Sequence, residues 1–189
     1  MESFFATNSR VADEESTEIV LVNPRAGSGA ALRNRQCWKR CLSGSYEVVT
    51  GANAAETERL AAEATRQGVR RLSVVGGDGT IHHACNGYLS VTNSRTQLRI
   101  IPFGTANDYA ASLRLHARQV GRESFEVDVG QLRCGDFKRY FVNVAGLGLT
   151  ARAAALSRSS KWFPSRIRYL AGLLRTMTHD WQYSEIRLQ

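Results

Sequence analysis

The chain has 189 residues, 43% of them hydrophobic and 22% charged, with a formal net charge of +8; this is enough for one globular domain, or one domain and part of a second. No apolar run approaches the roughly 18 residues that span a bilayer, and the polar N-terminus MESFFATNSRVADEEST lacks the basic and apolar regions of a secretory signal. Cys37, Cys41, Cys85 and Cys134 form neither a paired zinc spacing nor a secreted disulfide framework, so reduced thiols in a cytoplasmic protein are expected.

In chain order, residues 1–17 read as a disordered leader. Glu18 to Val22 is a short apolar strand, ended by the turn signal Asn23-Pro24 and the loop Arg25-Ala26-Gly27-Ser28-Gly29. The pattern then predicts a helix over about Ala30 to Leu42, a strand over Tyr46 to Val49 closed by Thr50-Gly51, and a helix over Ala54 to Gln67 stopped by Gly68. Leu72 to Val75 is the third strand; after Gly76-Gly77-Asp78-Gly79-Thr80, Ile81, Ala84, Cys85 and Tyr88 recur at helical spacing up to Leu89. Gln97 to Ile101 is a fourth strand, broken by Pro102 and followed by Gly104-Thr105-Ala106-Asn107-Asp108, with Tyr109 to Leu115 helical. Beyond it, Phe125 to Val129 and Tyr140 to Val144 are expected as strands around a polar turn at Cys134-Gly135-Asp136. Arg166 to Met177 has the spacing of an amphipathic helix, and Ser184 to Gln189 alternates like the opening of a strand. Strands alternating with helices indicate a layered α/β domain over 18–125 with a mainly parallel sheet; a second, β-rich character begins at 126–189.

Three glycine loops follow strands directly, at 27–29, 76–79 and 104–105. In parallel sheets the ligand crevice lies at the carboxyl ends of the strands, so these loops can converge on one ligand. Gly76, Gly77 and Gly79 lack the Cβ atoms that would keep a phosphate off the backbone, and they permit positive φ. Free N–H groups and the dipole of the helix that follows favour an anion there. Asp78 would repel a bare phosphate unless a divalent cation bridges the two; its blander role is to cap the helix. The loops are not a P-loop, since GSGAALR lacks Lys-Ser/Thr, nor the dinucleotide fingerprint G-x-G-x-x-G. No G-x-S-x-G supports a hydrolase, and the four histidines have no metal-ligand spacing; His82 and His83 stand beside the phosphate loop, within reach of a ligand, and by default read as partly exposed first-turn residues. Between Ala151 and Met177 lie Arg152, Arg158, Lys161, Arg166, Arg168 and Arg175 around Trp162 and Phe163, without an acid. The segment 152–175 fits a peripheral membrane-surface patch and equally a solvated helix face with core aromatics. No recognition motif for nucleic acid accompanies the charge.

GGDGT at 76–80, NPRAG at 23–27 and GTAND at 104–108, in that order, resemble the catalytic domain of the diacylglycerol kinase and sphingosine kinase superfamily, and VDVGQLRCGDFKRYFVNVAGLGLTA at 127–151 resembles that family's link between two domains. The resemblance implies a Rossmann-like nucleotide lobe, similar to that of NAD kinases and phosphofructokinases, followed by the start, near Trp181, of a truncated C-terminal β-sandwich, with the general base expected in the missing part of that domain. It implies ATP and Mg2+ as the reactants bound here. Asn23, Pro24, Arg25, Ala26, Gly27 and Thr50 would line the nucleotide. Gly76, Gly77, Asp78, Gly79, Thr80, Ile81 and His82 would hold its phosphates, and Thr105 would add a hydroxyl. Asp78, the expected catalytic residue, would share a metal–water network with Asp108 and Asp128. A lipid acceptor, diacylglycerol or of sphingoid type, follows from the same resemblance; the basic-aromatic segment 152–175 adds a peripheral position at the inner membrane surface as an expectation, and a homodimer is among the assemblies expected. The family often carries glutamate where this chain has His83, and an acid where it has Thr150. The alternatives are an NAD-kinase-like phosphotransferase and a non-catalytic nucleotide-binding fragment.

Overall fold

The computed structural model describes residues 18–122, 124–146 and 151. The expected leader, the segment 152–175, the helix over Arg166 to Met177 and the strand at Ser184 lie outside these residues. Contacts divide the chain into two compact units, Met1–Val142 and Asn143–Gln189, and every element below belongs to the first.

Four parallel strands form the sheet: β1 (Glu18–Val22), β2 (Tyr46–Thr50), β3 (Arg71–Gly76) and β4 (Gln97–Pro102), in the order β2-β1-β3-β4. Between them run α1 (Ala30–Arg33), α2 (Arg35–Lys39), α3 (Ala54–Arg66) and α4 (Asp78–Leu89); α5 (Asp108–Val120) follows β4. An antiparallel hairpin, β5 (Gly130–Cys134) and β6 (Phe137–Phe141), completes the described part. No helix among the described residues is long and apolar enough to cross a membrane.

Strand periodicity sorts the core into two layers. Ile19, Leu21, Leu72 and Val74 face α3, α4 and α5, packing on Ala61, Ala64, Ile81, Ala84, Cys85 and Tyr109. Val20, Val22, Val75 and Ile101 face the other way, onto Ala31 and Trp38. Burial on both faces explains why β1 reads EIVLV without alternation. Each fully buried Leu or Val contributes about 1.5–3 kcal/mol. At the amino end of the sheet the Glu18 carboxylate, buried with Ser73, takes ion pairs from Arg99 at 3.1 Å and Arg71 at 3.7 Å.

Two expectations need correction. The single helix over Ala30 to Leu42 is broken at Asn34, which sits at φ −106°, ψ 43° between α1 and α2. Asn is a weak helix former, and the Trp38 indole donates to the Ala31 carbonyl at 2.8 Å, satisfying an acceptor where the helical ladder stops. The strands expected at Phe125 to Val129 and Tyr140 to Val144 are displaced inward to β5 and β6, because Gly135 at φ +56° makes a tight turn that pairs Cys134 with Phe137.

Candidate functional site

The strand order reverses between β1 and β3: the chain steps outward from β1 to β2, then crosses back to β3 and on to β4. That reversal leaves a crevice beyond the carboxyl ends of the strands. A cleft of about 560 Å³ occupies it, lined by the loops after β1, β2, β3 and β4 and by the first turns of α3 and α4.

The loops are locked to one another. Asn23 Nδ2 donates to Thr80 Oγ1 at 2.7 Å, while Asn23 Oδ1 accepts from the Arg25 N–H at 2.9 Å. The Phe103 N–H donates to the Gly76 carbonyl at 2.8 Å. Gly27 holds φ +56°, and a Cβ there would stand 2.7 Å from the Phe103 carbonyl oxygen. Gly77 and Gly104 meet backbone to backbone: a Cβ on Gly104 would approach the Gly77 Cα to 2.4 Å. None of Gly76, Gly77 and Gly79 has positive φ, so the expected use of that freedom is corrected. Gly76 and Gly77 allow close packing, Gly76 against the Thr80 side chain, whereas Gly79 is exposed, with nothing within 4 Å of its Cβ position.

Asp78 stands between two helix starts. It opens α4, whose N-cap Gly77 supplies no side-chain hydrogen bond. Its Oδ1 accepts from the Tyr109 N–H at 3.0 Å and its Oδ2 from the Asp108 N–H at 3.3 Å, so it caps α5 from a neighbouring element. Asn107, the α5 residue at the N-cap position, lies at φ 58° and turns instead to Gly104, accepting from its N–H at 2.7 Å and donating to its carbonyl at 2.9 Å. The first-turn N–H groups of α4 face no capping side chain, and the helix dipole adds positive potential there. The result suits an anion held by backbone donors.

The opposite wall comes from α3 and α4. His83 lines the cleft, with Nδ1 2.7 Å from Glu58 Oε1. Arg139, from β6, puts Nη1 2.7 Å from each oxygen of the same carboxylate. Burial raises the Glu58 carboxyl, but the Arg139 and His83 hydrogen bonds outweigh it and hold it below its ordinary value. His82 packs edge-on to the His83 ring at 5.1 Å, and burial, then the charges of His83 and Arg139, hold its imidazole below the usual range.

Of the expected site residues, Asn23, Arg25, Ala26, Gly27, Gly77, Asp78, Gly79, Thr80 and Thr105 line the cleft. Pro24, Thr50, Gly76, Ile81 and His82 lie outside its lining; Ile81 points into the core at 1% exposure and Thr50 is exposed at the end of β2. Asp108 meets Asp78 through its backbone N–H, and Asp128 sits in the exposed stretch before β5. Among the described residues no three His, Cys, Asp or Glu side chains gather as a metal-ligating group, so the three aspartates are not brought together as a triad. Ala52, Asn53, Ala54 and Thr57 line the cleft without having been expected there; Gly104 and Ala106 belong to the expected third loop, and His83 was expected beside the phosphate loop without an assigned role. Asn53 was legible as a cap: its Oδ1 accepts from the Glu56 N–H at 3.0 Å, and Glu56 Oε2 accepts from the Ala52 N–H at 2.9 Å, the Asn-x-x-Glu spacing of a helix start.

The fold is that of a layered α/β domain with a cleft at its strand ends, floored by the uncapped start of α4. The chain belongs to the family of the diacylglycerol kinase catalytic domain, whose family model matches residues 18–138. It is 28% identical over 166 residues to a diacylglycerol kinase of Bacillus subtilis (strain 168), covering 82% of this chain and 51% of that protein. It is 39% identical over 102 residues to a "Probable lipid kinase YegS-like" of Chromohalobacter salexigens, covering 50% of this chain and 32% of the other. A solved diacylglycerol kinase structure from Bacillus anthracis str. Sterne aligns with a TM-score of 0.46 at 26% identity, over 52% of this chain and 37% of that one. The chain spans about half the length of the diacylglycerol kinases it matches, 51% and 46% in two cases.

Proposed function

We propose that the chain is the nucleotide lobe of an ATP-dependent lipid kinase that moves the γ-phosphoryl group of Mg–ATP onto a lipid hydroxyl, with diacylglycerol as acceptor and phosphatidic acid as product. The observation that carries this is the convergence of the strand-end loops on the uncapped start of α4, in a chain of this family. Phosphoryl transfer asks a protein for positioning and charge stabilisation more than for covalent chemistry. Backbone N–H groups of the first turn of α4 would hold phosphate oxygens, and Asn23 fixes Thr80 beside them. Arg25 adds a guanidinium to the lining, and Thr105 a hydroxyl.

The residues present fit a magnesium ion that arrives with the nucleotide. Asp78 is a carboxylate in the cleft lining, and each of its oxygens keeps a lone pair beyond the one N–H it accepts. Magnesium is held by one or two carboxylates together with phosphates and water. When bound, it neutralises phosphate charge. In this reading the Rossmann-like lobe works with a C-terminal β-sandwich that supplies the lipid site and the general base, and the basic segment 152–175 meets the membrane surface.

The test is binding of ATP, ADP and GTP with and without magnesium, followed by label transfer from ATP to diacylglycerol in mixed micelles or to NAD. Magnesium-dependent ATP binding by the chain, and label in phosphatidic acid from the enzyme that joins this lobe to the β-sandwich, are expected. Label in NADP alone, or no nucleotide binding, would overturn the proposal.

A further inference from the structure

We propose that His83 is a phosphate-binding residue of the cleft, its imidazole set by Glu58 to donate Nε2–H to a phosphate oxygen of the bound nucleotide; the inference rests on the nucleotide reading above and adds to the glycine loops a side chain from a different wall.

The placement begins with Gly87. A Cβ there would stand 2.1 Å from the Glu58 carbonyl oxygen, so α3 and α4 cross with backbone almost in contact. His83 lies one turn earlier on α4, and the crossing brings its Nδ1 to 2.7 Å from Glu58 Oε1. Asn86 secures the third member: its Oδ1 accepts from the Tyr140 N–H at 2.9 Å and its Nδ2 donates to the Tyr140 carbonyl at 3.0 Å, fixing β6 so that the neighbouring Arg139 reaches Glu58.

Arg139 contacts both oxygens of Glu58 and is the larger of the two influences that hold its charge, with His83 the second. Glu58 in turn accepts from Nδ1–H, fixes the ring's orientation, and leaves Nε2 as the nitrogen available to a ligand. The ring is held by His82 at its edge, and its side chain keeps 31% exposure where it lines the cleft. With Nδ1–H given to Glu58, the donor at Nε2 is that of the imidazolium form, in which both ring nitrogens carry a hydrogen. Among the lining residues Arg25 and His83 are the basic side chains, set against Asp78. Arg25 is exposed on a loop, whereas His83 is braced by two helices and a hairpin. A braced donor is what transition-state charge requires, because nothing must reorganise when the charge develops.

The test uses the 189-residue chain and calorimetric titration with ATP, inorganic tripolyphosphate and adenosine, in magnesium. His83→Asn keeps a polar group toward Glu58 and removes the Nε2 donor; His83→Gln places an amide nitrogen near the Nε2 position. The Asn variant is expected to bind ATP and tripolyphosphate about tenfold more weakly, and the Gln variant within about threefold of the parent, with adenosine unaffected. On the parent, tripolyphosphate should shift the His83 Nε2 resonance in nitrogen NMR, a readout independent of how the variants fold. Parent-like phosphate binding by the Asn variant, equal losses in both variants, a parallel loss of adenosine, or an unmoved His83 resonance would overturn the inference and leave the nucleotide reading standing. If neither ATP nor tripolyphosphate binds the parent, that reading fails and the inference with it.

Discussion

Replacing Gly87 by alanine sets two energies of opposite sign against each other. Within α4, alanine is favoured over glycine by about 1 kcal/mol of helix propensity. Against this, the new Cβ would lie 2.1 Å from the Glu58 carbonyl oxygen, 2.9 Å from its carbon and 3.0 Å from the Ala61 Cβ, where ordinary contact begins at 3.4 Å. Two of those three atoms are backbone and cannot rotate away, so α3 and α4 must separate by roughly 1 Å, at an overpacking cost of about 1–3 kcal/mol. Because backbone meets the new Cβ, the clash lies in the upper part of that range and outweighs the propensity; the expected net loss is up to about 2 kcal/mol, a fall in melting temperature of up to about 8 °C for a chain of this size. Gly79 in the same helix is the control. It is exposed, has no atom within 4 Å of its Cβ position, and should gain up to about 1 kcal/mol as alanine. Thermal denaturation followed by circular dichroism reads both variants. A Gly87→Ala protein that melts at or above the parent would refute the helix crossing on which the placement of Glu58 and His83 depends.

Asp78→Asn should weaken the cap of α5 by about 1 kcal/mol, lowering the melting temperature by about 2–4 °C, and should abolish the magnesium dependence of ATP binding; an unchanged magnesium dependence would take Asp78 out of the metal's reach. Stability should fall on acidification in two steps. The folded values of His82 and Glu58 both lie below their ordinary 6.5 and 4.5, so each group binds protons less readily folded than unfolded. Each contribution is complete above the ordinary value and lost as pH falls through the lower folded one; a urea midpoint that stays flat between about pH 7 and 4 would contradict this. Native thiol titration should modify Cys37, Cys41 and Cys134, which are exposed, and spare Cys85, which is buried and whose thiol burial pushes up to about 12; four reactive thiols in the native state would show that the layer under α4 is open.

The strands β1 to β4 were legible as short runs of apolar and β-branched residues whose ends carry glycine, proline or asparagine, with β1 and most of β3 buried on both faces. The start of α4 at Asp78 was legible from the glycines that precede it. What the sequence hid was set by distant contacts. The break at Asn34 depends on where the Trp38 indole finds an acceptor. The hairpin register depends on a turn at Gly135, which a window of alternating residues does not fix. Asp78 shows the limit most clearly. Both a cation and a helix cap were open to it from sequence, but the helix it caps is α5, thirty residues away, not the one it begins. His83 was placed beside the phosphate loop, but its partners were not legible: Glu58 lies 25 positions before it on α3, and Arg139 lies on a hairpin whose docking no local pattern announces.

The meeting of Gly77 and Gly104 has a thermodynamic consequence. Where backbone touches backbone, no rotamer change can open or close the gap, so the two loops move as one body or not at all. Most of the entropy lost in ordering these donors is thus lost when the chain folds, and little remains to be lost when a ligand arrives. A loop pair of this kind favours fast, shallow recognition of any group with the right charge and spacing; discrimination between ligands then falls to the walls around it, where side chains can still differ.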